Sequence, residues 1–151
     1  MKKTLVLIAV AAVVAGAAVA GAHATAPVPL TIVMDGTLTG PTSIAGTWQA
    51  TGLVEASGTF TQEFRFAGHS IHDLKTLVSP QGTLVLKVQT LFEIAPNGTV
   101  TFREGSWQVV EATGAYEGLH AGGQPAAAAE SFGNLVTGQV HIRHDGTGHF
   151  E

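Results

Sequence analysis

The stretch Leu84-Val-Leu-Lys-Val-Gln-Thr-Leu-Phe-Glu93 decides the fold class. Leu84, Leu86, Val88, Thr90 and Phe92 fall on one face, while Lys87, Gln89 and Glu93 fall on the other, the period of two that a half-buried strand requires. The run stops at Ala95-Pro-Asn-Gly98, where proline presets φ for the first turn position and glycine admits the positive φ that reverses the chain. A hairpin into residues 99–110 follows.

Outward from this hairpin the pattern repeats. Runs rich in Thr, Val, Phe and Leu alternate with glycine and proline, predicting strands near 30–38, 45–51, 53–66, 70–78, 83–93, 99–110, 115–121 and 134–143. Short connections make neighbours antiparallel. Eight such strands in one domain remove both exposed edges by closing, so the expected fold is all-β, an eight-stranded antiparallel up-and-down barrel of the calycin-like kind, with a two-sheet sandwich as the runner-up. Between 99 and 110 the apolar phase passes from Val100 and Phe102 to Trp107 and Val109, which predicts a β-bulge at Glu104-Gly105. Residues 121–133, glycine-rich and then alanine-rich, fit no strand and are expected to form a mobile loop.

The first 24 residues read differently. Lys2-Lys3, an uncharged run from Leu5 to Ala20 and Ala22-His-Ala24 form the three parts of a secretory signal, expected as a helix cleaved after Ala24. The competing reading is an uncleaved anchor. Cleavage leaves 127 of the 151 residues, with 25–29 as a short linker and 30–151 as one barrel domain, exported to the periplasm, cell envelope or medium and holding no stable membrane insertion. Taking Lys2 and Lys3 from the seven basic residues leaves five against eleven acidic ones, a formal charge of −6, which argues against nucleic acid as a partner. The chain has no cysteine, excluding disulfides and thiol catalysis. Oligomeric state is left open.

Alternation places Leu30, Ile32, Met34, Trp48, Phe60, Phe64, Phe66, Leu74, Val78, Leu84, Leu86, Val88, Phe92, Phe102, Trp107, Val136 and Ile142 among the inward residues, enough bulk to fill a barrel of eight strands. The polar residues in the same phase are Gln62, His72, Thr90, Glu104 and His144. An inward polar group must find a partner or line a wet cavity. With Trp48 and Trp107 these five form the candidate ligand site, His72 or Glu104 being available as acid or base; half-solvated positions at the barrel mouths would also account for them. Six histidines follow the leader, but those in His69-x-x-His72 and His141-x-x-His144 point to opposite faces of a strand, so no metal and no cofactor is expected. No serine lies in a nucleophile elbow, and no catalytic residue is assigned.

The segment Gly114-Ala-Tyr116-Glu-Gly118-Leu-His-Ala-Gly122 resembles the Gly-x-Tyr/Phe-x-Gly-x-x-Gly motif of the allene oxide cyclase and dirigent-like barrels. The resemblance, joined by Gly46-Thr-Trp48, Gly58-Thr-Phe60 and Gly146-Thr-Gly-His-Phe150, extends over the chain after the leader and implies a small exported bacterial member of that group. Gly114, Tyr116, Gly118 and Gly122 are then structural residues. The family's cyclases act on reactive apolar molecules inside the barrel, and none of their catalytic residues matches a position here. Gly46-Thr-Trp48 also resembles the Gly-x-Trp of lipocalin-type barrels, which implies a basic residue, here Arg143, covering the Trp48 ring. Three functions follow as expectations: an exported barrel binding a small apolar molecule, an isomerase or cyclase working by confinement, and a non-catalytic surface or interaction protein with a solid barrel.

Overall fold

The computed structural model describes residues 26–151; the signal peptide, helix and cleavage site expected from the sequence lie outside the described residues. Strands β1 (Val28–Gly40), β2 (Ser43–Gly52), β3 (Ala56–Ala67), β4 (Ser70–Ser79), β5 (Gly82–Ile94), β6 (Thr99–Ala112), β7 (Leu119–Gly123), β8 (Phe132–Asn134) and β9 (Gln139–Phe150) form one antiparallel sheet, with a single 3-10 turn at Gly114–Tyr116. Consecutive strands pair from β1 to β6, and β1 pairs with β9, closing the barrel. No helix among the described residues is long and apolar enough to cross a membrane.

One of the eight staves, between β6 and β9, is broken in two. β7 pairs with Trp107 and Gln108 of β6, β8 pairs with Thr99 to Thr101 of the same strand, and both also pair with β9. Residues 124–131 fill the wall between them. Ala126 is fully buried there, the Ala128 N–H donates to the Arg143 carbonyl at 2.8 Å, and the Ser131 hydroxyl accepts from the Arg143 N–H at 2.9 Å. The segment read from sequence as a loop over 121–133 therefore carries strand at both ends and a buried middle, for which alanine is small enough.

One end of the barrel, called the base, is sealed. Tyr116 of the 3-10 turn is buried beneath the strands, its hydroxyl 2.6 Å from Ser79 Oγ, and Val54 and Leu119 are buried as well. Gly114 and Gly118 hold φ of +64° and +80°, the left-handed conformations that swing Tyr116 under the base. Above this plug, Leu30, Ile32, Met34, Trp48, Phe60, Leu77, Leu84, Leu86 and Trp107 pack into one core.

The last two predicted strands differ most from the sequence reading. The last strand starts at Gln139 instead of 134, because the Asn134 side-chain oxygen accepts from the Val136 and Thr137 N–H groups at 2.8 and 3.0 Å and holds a turn; Val136, expected inside, is 79% exposed. It continues through Gly146 and Gly148 to Phe150, beyond the end expected at 143. At Gly146 a Cβ would meet the Gly122 carbonyl oxygen at 2.2 Å and the Trp107 ring at 2.7 Å, so glycine is there to let wall and ring approach. The predicted seventh strand at 115–121 is the 3-10 turn followed by β7.

Candidate functional site

The polar interior begins with β4, whose phase is the reverse of the expected one. Its outward residues are Leu74 and Val78, 51% and 47% exposed, with His72 half-buried on the same side. Ile71, Asp73, Lys75 and Leu77 point inward. The two faces carry similar apolar content, so alternation alone cannot choose between them; pairing with β3 and β5 chooses. His72 thus leaves the candidate ligand site, and two charged residues enter the barrel instead.

Inside, Lys75 Nζ donates to Asp73 Oδ1 at 2.6 Å, with the side chains 1% and 3% exposed. Burial raises the Asp73 carboxyl above its ordinary range, against the opposing pull of Lys75, and burial lowers the Lys75 ammonium below its own. Both shifts favour the neutral forms. Two charges taken from water cost several kcal/mol each unless they compensate one another, so a pair of this kind is weak as a stabiliser and is tolerated because each group neutralises the other.

His144, on β9, faces the same interior. Its Nδ1 donates to the Ala126 carbonyl, which fixes the tautomer: Nε2 carries the lone pair, and it is buried without a hydrogen-bond partner. Burial, then the nearby Lys75 charge, lowers its pKa to about 3 against the opposing effect of the Ala126 hydrogen bond, so the ring is neutral at physiological pH. It stacks on Trp107 with centroids 5.6 Å apart.

Both tryptophans serve packing. The Trp107 ring N–H donates to the Asp145 carbonyl at 3.0 Å, and the Trp48 ring N–H donates to the Val78 carbonyl at 3.1 Å. Each indole passes over a glycine of the neighbouring strand, Gly123 for Trp107 and Gly58 for Trp48, where a Cβ would lie 2.7 and 3.0 Å from the ring nitrogen. The chain contains the same signal twice, Gly46-Thr-Trp-Gln49 and Gly105-Ser-Trp-Gln108. Arg143 does not cover Trp48: it is on the outer face, bonded to Asp145 at 2.9 Å and Glu130 at 3.0 Å.

Thr90 is inward and buried, and the wall satisfies it. Its hydroxyl lies 2.7 and 2.9 Å from the Arg103 and Glu104 carbonyls, the two residues of the β-bulge where β6 advances three positions against two on β5. Glu104 is therefore exposed; the bulge that switches the phase of β6 also turns this carboxylate outward. Thr90 is a staple and Glu104 a surface charge.

Gln62 remains. It is 4% exposed, and its side-chain oxygen is buried without a partner. It lines a cavity of about 50 Å³ at the end of the barrel opposite Tyr116, called the mouth. The other walls are almost wholly apolar: Ile44, Phe64, Phe66, Ile71, Phe92, Ile94, Phe102 and Leu135 are among them. Phe66 packs edge-on to Phe64 at 5.4 Å and against Phe92 at 5.3 Å, forming an aromatic rim that is itself half exposed.

No family model, curated protein or solved structure matches this chain.

Proposed function

We propose that this is an exported barrel protein that holds a small apolar molecule at its mouth, the molecule donating one hydrogen bond to Gln62. The single observation that carries the proposal is the Gln62 side-chain oxygen, buried and unpartnered in a cavity whose lining, Asn134 and Gly133 apart, is otherwise apolar and aromatic side chains. An unsatisfied buried acceptor costs about 1–3 kcal/mol, and a ligand hydroxyl recovers that cost while its hydrocarbon part covers the phenylalanines. The exposed rim of Phe66, Ile94 and Leu135 extends the apolar surface beyond the enclosed volume, so a short chain can lie partly within the wall and partly along it. Kinship with the allene oxide cyclase and dirigent-like barrels belongs to the same proposal, supported by the Gly114, Tyr116, Gly118 and Gly122 motif. Export rests on the leader sequence.

Calorimetric titration with 1-hexanol tests the pocket. Wild-type protein should bind it, and Gln62→Leu, which removes the acceptor while keeping the bulk, should weaken binding roughly fivefold to tenfold, the worth of one hydrogen bond of about 1 kcal/mol. Equal binding by the two proteins would remove Gln62 from the site; no binding by either would remove the pocket.

A further inference from the structure

The inward face of β4 descends from the mouth in single steps: Ile71, which lines the cavity, then Asp73, then Lys75. In register, Phe64 is the direct partner of Asp73 and Gln62 of Lys75, and both of these partners also line the cavity. The ion pair thus lies level with Phe64 and Gln62 of the pocket wall, one and two pleats below Ile71.

We infer that Lys75 is a reactive amine for the carbonyl group of a small apolar aldehyde, which it captures as an imine with Asp73 as the proton carrier. The inference rests on the pocket proposed above and names the chemical class of its ligand. Two features of the geometry and one of the electrostatics support it. Lys75 is buried, and Asp73 is its hydrogen-bond partner among the described residues, so the amine is held in one place with a carboxyl 2.6 Å away. Gln62, beside it, offers an unpartnered acceptor that can hold the hydroxyl of the tetrahedral adduct. His144, which faces the same interior, is neutral and adds no competing charge.

The protons balance within the pair. Moving one proton from Lys75 to Asp73 changes no net charge and gives an amine beside a carboxylic acid, the state toward which burial drives both groups. The nitrogen lone pair attacks the carbonyl carbon, the C=O π bond breaks, and Asp73 gives its proton to the oxygen. Asp73 then takes a proton from the nitrogen and returns it to the hydroxyl, which leaves as water as the C=N bond forms. The product is a protonated imine facing the Asp73 carboxylate, a cation in the place the ammonium held. No oxidant or reductant is needed.

The chain carries its own control. Beyond Lys2 and Lys3, its lysines are Lys75 and Lys87, and Lys87 is exposed on the outer face. Hexanal with sodium cyanoborohydride at neutral pH should place a hexyl group on Lys75 at least about tenfold faster than on Lys87, read by intact mass and peptide mapping. The double variant Asp73→Asn, Lys75→Met, a neutral pair of similar volume whose folding is checked by circular dichroism, should lose that adduct and keep the slow one on Lys87. Modification of Lys87 or the amino terminus in preference to Lys75 overturns the imine. A wild-type protein that binds 1-hexanol yet forms no Lys75 adduct overturns the imine and leaves the pocket standing; a protein that does neither overturns both.

Discussion

The base and the mouth of this barrel are built from the same hairpins and have opposite interiors. At the base, Tyr116 is pinned by Ser79, and Leu30, Leu84 and Trp107 above it are at most 2% exposed. At the mouth, Phe66, Ile94 and Leu135 are about half exposed around a cavity that holds an unpartnered amide oxygen. A solid barrel needs no opening, and a barrel held together only by its mouth would lack a core. The division assigns stability to one end and the proposed binding to the other, with the Asp73, Lys75 and His144 layer between them.

That division can be broken most strongly with acid. His144 is lowered in the folded state from 6.5 to about 3, so the unfolded chain binds its proton first. The stability it contributes is complete above pH 6.5 and is lost as pH falls toward 3, on the order of 4–5 kcal/mol over that window. Chemical denaturation at stepped pH should show this slope. His144→Asn, which keeps a donor for the Ala126 carbonyl and cannot be protonated, should flatten it; an unchanged slope would place the acid sensitivity elsewhere.

Next in size is the packing below the mouth. Trp107→Ala removes a ring buried to 2%, its bond to the Asp145 carbonyl and the surface on which His144 stacks, and should cost about 3–5 kcal/mol in urea unfolding. A loss under about 1 kcal/mol would mean that the lower barrel is not the stability core.

The smallest effect on stability should come from the rim. Leu135→Ser, at a half-exposed site on the cavity's lip, should change unfolding free energy by no more than about 0.5 kcal/mol while measurably weakening 1-hexanol binding. If instead it destabilises the fold and leaves binding alone, the two ends do not divide the work.

How far these parts were legible in the sequence varies by strand. β5 reads directly, because Leu84, Leu86, Val88 and Thr90 face Lys87 and Gln89 without ambiguity and all four are buried. The bulge in β6 also reads, from the phase change around Gly105, whose φ of +115° and closeness to the Gln89 carbonyl demand glycine. β4 does not. Leu74 and Val78 on one face weigh the same as Ile71 and Leu77 on the other, and the charges that seem to exclude the second face are the two that neutralise each other inside. The repeated Gly-x-Trp-Gln was visible in the sequence, but the glycines each indole crosses, Gly58 and Gly123, are named only by strand register.

By itself, then, the sequence determined the all-β class, the places of most turns and the absence of cysteine chemistry, because period-two patterning, glycine and proline act locally. Closure decided the rest. Once β1 meets β9, every strand's register is fixed by its two neighbours, and register alone says that Asp73 and Lys75 lie under the mouth, that Glu104 lies outside, and that residues 124–131 complete the wall. A one-residue change of phase moves every side chain of a strand to the other face, and choosing between two phases of similar apolar content takes the whole barrel.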